Sequence, residues 1–114
     1  MAQFLFLYRR PYEQAALSPA QMQQNIPKWQ VWFQELTEKG HLKDRGEVLE
    51  REGKLVRGSK KNVTDGPYAE KDLVMGYTII EARDLDQARE LATGCPGLST
   101  EMVVEVRPTM QLNP

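Results

Sequence analysis

Apolar residues alternate in three stretches of the chain and recur at three- and four-residue steps in two others. From Gln3 to Arg9 the alternation is double. Phe4, Phe6 and Tyr8 fall on one face of a strand and Leu5 and Leu7 on the other, as in a strand covered on both sides. Pro11 ends it. Ser18-Pro19-Ala20-Gln21 is a helix start, with Ser at the cap, Pro in the first turn and Gln placed to close a capping box. Met22, Ile26, Trp29, Phe33 and Leu36 then line one face of that helix. Pro27 removes one backbone donor inside it, so either the helix kinks there or Asn25 caps a fresh start. Lys39 and Gly40 close it as a last-turn cation and a terminating glycine.

The stretch from His41 to Glu52 is polar and fits a short strand or an irregular link. Leu55-Val56-Arg57, a Gly58-Ser59 turn and Asn62-Val63-Thr64 predict a small hairpin running into the turn at Asp65. Lys71 to Met75 is ambiguous, whereas Tyr77 to Ala82 is a strand rich in aromatic and β-branched residues. Asp84 caps a second helix whose inner face carries Leu85, Ala88, Leu91 and Ala92, and Gly94 and Pro96 stop it. The last strand, Met102 to Arg107, puts Met102, Val104 and Val106 on one face and Val103 and Glu105 on the other.

The order strand, helix, hairpin region, strand, helix, strand is the ferredoxin-like β-α-β-β-α-β pattern with an extra hairpin. It predicts an α+β fold, an antiparallel sheet with two helices on one face. Residues 1–110 form a single domain and 111–114 a short C-terminal tail. Two helices leave the second apolar face of the first strand uncovered, and a second copy of the chain would cover it. The expectation is a homodimer, sheet packed against sheet, with a cavity between sheet and loops.

Composition narrows the function classes. A chain of 114 residues with 15 basic and 16 acidic side chains carries a net charge of −1, which offers no field for nucleic acid or a membrane surface. The early apolar run is short, and Arg9 and Arg10 follow rather than precede it, unlike a secretory signal. The single cysteine, Cys95, precludes an intramolecular disulfide. These features read as a cytoplasmic protein. No cofactor is expected, and one His and one Cys with scattered carboxylates have no metal-ligand spacing.

Candidate chemistry concentrates in Asn62-Val63-Thr64-Asp65-Gly66-Pro67-Tyr68-Ala69-Glu70. Asp65 and Tyr68 make a candidate catalytic pair, a carboxylate to take a proton and a phenol to polarise an oxygen. Gly66, Pro67, Glu70 and the lone His41 are candidate ligand-binding residues. The competing structural reading, an Asx-turn followed by a packed aromatic, takes precedence for Asp65 and Tyr68. Likewise His41 just past a helix end complements its dipole, and Cys95 at a helix C-terminus is packed and inert. Arg57, Lys60 and Lys61 read as a solvated edge. Trp29 shares the core stripe, while either tryptophan can line a pocket.

Val63-Thr64-Asp65-Gly66-Pro67-Tyr68-Ala69-Glu70, Gly76-Tyr77-Thr78-Ile79-Ile80, Cys95-Pro96-Gly97 and Val104-Glu105-Val106-Arg107-Pro108 together resemble the YCII-related proteins of the DGPF type. Phe4-Leu5-Phe6-Leu7-Tyr8 and the Ser18-Pro19 helix with Trp29 and Trp32 fit as well, so the resemblance covers nearly the whole chain. Tyr68 stands where the type has phenylalanine. The resemblance implies a bacterial, cytosolic, dimeric α/β barrel of ferredoxin-like subunits, in a group often encoded beside extracytoplasmic-function sigma factors. It implies a small-molecule-binding or regulatory module with a regulatory protein partner. The alternative is a cofactor-independent enzyme for proton transfer, isomerisation or elimination on a small oxygenated compound, using Asp65 and Tyr68. The broader group's His–Asp pair has no counterpart here: the first helix lacks histidine, and Cys95-Pro96 stands where that group has Asp-Pro.

Overall fold

A computed structural model describes residues 1–13, 17–67 and 71–112. Strand β1 (Ala2–Pro11) leads to helix α1 (Pro19–Glu38), then to β2 (Leu42–Asp44) and the hairpin strands β3 (Gly53–Arg57) and β4 (Asn62–Gly66). Strand β5 (Asp72–Ala82), helix α2 (Leu85–Ala92), a 3-10 turn (Pro96–Thr100) and strand β6 (Val103–Pro108) complete the chain. Four strands form one antiparallel sheet in the order β2-β5-β1-β6, the ferredoxin-like arrangement, and β3 and β4 form a separate two-stranded sheet.

The expected α/β barrel is corrected by this topology. Closure requires the two edge strands to pair, and β2 and β6 lie on opposite edges with β5 and β1 between them. The hairpin does not bridge that gap, because among the described residues its strands pair only with each other. The fold is an open-sheet α+β domain, and no sheet closes into a barrel.

Local signals fix α1. Ser18 Oγ accepts from the Gln21 amide at 3.2 Å while Gln21 Oε1 accepts from the Ser18 amide at 2.9 Å, a complete capping box. At the other end Gly40 adopts φ +77°, the Gly40 amide donates to Thr37 O at 3.0 Å and the His41 amide to Leu36 O at 2.8 Å. These two bonds make a Schellman closure, and its left-handed residue favours glycine. Helix α1 runs unbroken through Pro27, which is exposed together with Gln23, whose carbonyl loses its helical donor. Water can satisfy that carbonyl, so no second helix start is needed. Asp84 Oδ1 caps α2 by accepting from the Gln87 amide at 2.8 Å, a bond that holds the Asp84 carboxyl below its ordinary pKa.

The core lies between the sheet and the two helices. Phe4 and Phe6 of β1, Ile80 and Ala82 of β5, Trp32 and Leu36 of α1, and Ala88 and Ala92 of α2 are all buried. Burial of side chains as large as Phe6, Ile80 or Trp32 stabilises by about 1.5–3 kcal/mol each. Phe6 stacks on Trp32 with centroids 6.1 Å apart. The opposite face of the sheet carries Leu5 and Leu7 beside their partners Ile79 and Tyr77, all half-buried, and among the described residues no helix covers them. Arg9 and Glu105 close one side of this apolar patch with a 2.7 Å ion pair.

Candidate functional site

The helical stripe of α1 divides into two parts. Trp32 and Leu36 are buried, whereas Met22 and Ile26, roughly two to four turns earlier, are each 51% exposed. The difference arises because the sheet beneath the first half of the helix stands off from it. Between them is a cavity of about 690 Å³. Met22, Ile26, Trp29 and Phe33 form its roof, Tyr8, Arg10 and Thr78 its floor, and residues 45–51 its side. Its volume falls within the usual range for small-molecule sites, roughly 300–1,000 Å³.

The side wall is a strand-like run beside β5. The Tyr77 amide donates to Glu47 O at 3.1 Å and the Leu49 amide to Met75 O at 2.7 Å, and Val48 bridges Gly76. Gly46 permits this approach: its φ is +75°, and a Cβ there would overlap the Tyr77 carbonyl.

Two hydroxyls sit beside Arg10 at the floor. Tyr8 follows Phe4 and Phe6 on the helix-facing side of β1, and Thr78 precedes Ile80 on the same side of β5. The Tyr8 hydroxyl donates to Thr78 Oγ1 at 2.7 Å, and Thr78 donates to the Arg45 carbonyl at 2.9 Å. Burial drives the Tyr8 phenol well above its ordinary pKa; the Thr78 bond opposes this, and the nearby Cys95 adds a smaller upward push. The phenol therefore stays protonated near neutral pH.

Three arginines border the cavity, each engaged by the protein. Arg10 donates to Thr100 O at 2.9 Å and Thr100 Oγ1 at 2.7 Å, and burial lowers its pKa. The Arg45 guanidinium lies 5.0 Å from the Phe33 ring centroid, and that of Arg51 lies 5.5 Å from that of Tyr12. Trp29 meets Tyr8 edge-on at 5.1 Å, which joins roof to floor.

The residues singled out from sequence are placed as follows. Asp65 lies on β4, its side chain 89% exposed and ion-paired with Lys54 across the hairpin. Gly66 pairs with Gly53, and the Gly66–Pro67 peptide is cis. His41 joins α1 to β5: its Nδ1 donates to Glu81 O at 2.8 Å, and its carbonyl accepts from the Glu81 amide at 2.7 Å. None of Asp65, Gly66, Pro67 and His41 is among the residues lining the cavity. Tyr68 and Glu70 lie outside the described residues. Cys95 is buried and its thiol is pushed up to about 11, chiefly by burial, against the downward pull of the Gly97 and Leu98 amides and of Arg10.

Sequence reasoning passed over Tyr8, Thr78 and Arg10 as site residues. The available signal was a pair of hydroxyl side chains on the inward faces of two strands whose other inward residues are apolar. Among the described residues, no helix is long and apolar enough to cross a membrane, and no group of three or more His, Cys, Asp or Glu is placed to hold a metal ion.

An open antiparallel sheet with two helices on one face and a cavity beneath the first helix defines an α+β domain of ferredoxin-like topology. The chain belongs to the YCII-related domain family, whose match spans residues 3–113. No curated protein matched the chain.

Proposed function

We propose that this YCII-related protein binds a small, largely apolar molecule in the cavity beneath α1. The carrying observation is the cavity itself, roofed by Met22 and Ile26, whose exposure on a helix stripe otherwise spent on the core leaves a surface for a ligand to cover. The reading includes the finer DGPF type, on Asp65-Gly66-Pro67 with Tyr68 in the fourth place, and a regulatory role beside bacterial sigma-factor systems through a protein partner. It also includes a homodimer, formed over the face that carries Leu5, Leu7, Tyr77 and Ile79. Binding is favoured over catalysis because the floor carries a neutral phenol, a hydroxyl and an engaged arginine, none of them a proton acceptor near neutrality, and the lining carboxylates, Glu47 and Glu50, belong to the side wall.

Native mass spectrometry of protein taken directly from cell extract tests this reading. The expected result is a dimer carrying a reproducible extra mass, lost in an Ile26→Arg variant that places a charge at the cavity roof. Absence of any extra mass, together with no thermal shift from a library of small apolar compounds, would refute it.

A further inference from the structure

The geometry points to a ligand that presents a hydrogen-bond donor, an O–H or N–H group, to the Tyr8 oxygen, which Thr78 holds in place from beneath. This inference rests on the cavity being the binding site and specifies what it selects. The directions of the bonds on its floor carry the inference. The Arg45 carbonyl can only accept, so the single Thr78 hydroxyl proton is committed to it at 2.9 Å. Thr78 Oγ1 must then accept from Tyr8, whose own proton is committed over 2.7 Å. Both protons are used within the protein; Thr78 is fully buried, so what the pair offers a ligand is the remaining lone-pair capacity of the Tyr8 oxygen.

A ligand carbonyl or ether facing this pair would meet lone pairs only and lose its hydrogen bonds to water, a penalised arrangement. A phenol, an indole-type N–H or an amide N–H would be satisfied there. The surroundings suit a flat ring bearing such a group, because Trp29, Phe33 and Ile26 offer apolar and aromatic surface opposite it. The neighbouring Arg10 spends two of its five N–H donors on the Thr100 oxygens, which fixes its fork, and an acceptor or anion drawn to the rest is the competing outcome that the probes separate. The site therefore sorts flat apolar molecules by a donor.

Four bicyclic probes test this by two-dimensional NMR titration, with the shifts mapped onto cavity-lining amides such as those of Gly76 and Thr78. Indole offers a donor, 1-methylindole has none, quinoline offers only an acceptor and 2-naphthoate brings an anion. Indole is expected to bind roughly three- to tenfold more tightly than 1-methylindole or quinoline, the ratio of about one net hydrogen bond. In Thr78→Val the Tyr8 proton is released toward the cavity, and the order of indole and quinoline should reverse. A general loss of packing would weaken both probes alike instead. If Thr78→Val does not fold, the wild-type ranking decides. Equal binding of indole and 1-methylindole overturns the donor preference and leaves the cavity reading standing. Tightest binding by 2-naphthoate also overturns it, in favour of the arginines. No shift at the lining amides with any probe overturns both.

Discussion

Gly76 lies against the Glu47 carbonyl so closely that a Cβ at position 76 would sit 2.7 Å from that oxygen. The wall formed by residues 45–51 can stand where it does only because β5 has no side chain at that point. Gly76→Ala should therefore push the wall outward. The expected cost is roughly 1–3 kcal/mol, the usual range for overpacking a tight contact. Urea denaturation measures it, and the Leu49 amide, bonded to Met75 O, should lose protection from hydrogen exchange. Unchanged exchange at Leu49 would contradict this account.

Two tryptophans three residues apart have different tasks. Trp32 is buried in the core, so Trp32→Ala should cost about 3–5 kcal/mol in denaturant unfolding. Trp29 is half-buried and lines the cavity, so Trp29→Ala should be milder. In Trp32→Phe, the emission of the remaining Trp29 should change when a cavity ligand is added. In Trp29→Phe, the emission of Trp32 should change much less.

The apolar patch of Leu5, Leu7, Tyr77 and Ile79 gives the proposed dimer a specific weakness. Leu7→Lys should weaken self-association on the order of tenfold or more, because it buries a charge at the centre of the patch. Sedimentation velocity across a concentration series reads this directly. A wild-type protein that stays monomeric at high micromolar concentration would remove the dimer from the proposal.

Cys95 predicts both a reactivity and a pH dependence. Its buried thiol should react slowly with Ellman's reagent at pH 8 in the folded protein and quickly once unfolded. Its folded pKa, about 11, exceeds the ordinary value of 9.0, so the unfolded chain loses this proton first as pH rises. The associated stability is complete below pH 9 and is lost between pH 9 and about 11. Tyr8, raised in the same direction, extends the loss above pH 10. Cys95→Ala should flatten the first part of the alkaline decline, measured by urea midpoints at successive pH values.

Features written in a few neighbouring residues were legible in the sequence. Ser18-Pro19 with Gln21 announces the start of α1, Lys39-Gly40 its end, and Gly58 the turn of the hairpin, because caps and turns are local chemistry. The strand order followed from the succession of elements. The site was less legible. Met22 and Ile26 share their periodicity with Leu36, and spacing along a helix carries no information about how far away the facing sheet lies. The Tyr8–Thr78 bond joins residues 70 positions apart, a pairing set by the register of β1 on β5. Asp65-Gly66-Pro67 is the most distinctive local motif, and it sits at the end of a hairpin whose strands, among the described residues, pair only with each other. Closure of the sheet was beyond local signals for the same reason: it depends on which edges meet, and here they do not.

The bonds at His41 have a mechanical consequence. They anchor the C-terminal end of α1 to β5, whereas the hydrogen bonds around Ser18, among the described residues, stay within the helix and its cap. Helix α1 is thus a cantilever, clamped at one end, with its free half over the cavity and Pro27 at the step between them. A thicker guest would lift the tip and leave the clamp undisturbed, so tolerance should be broad in guest thickness and narrow in where its polar edge sits on the floor. Thickened analogues of one bound probe should then shift the amides of residues 19–26 in NMR spectra and leave those of 36–41 in place.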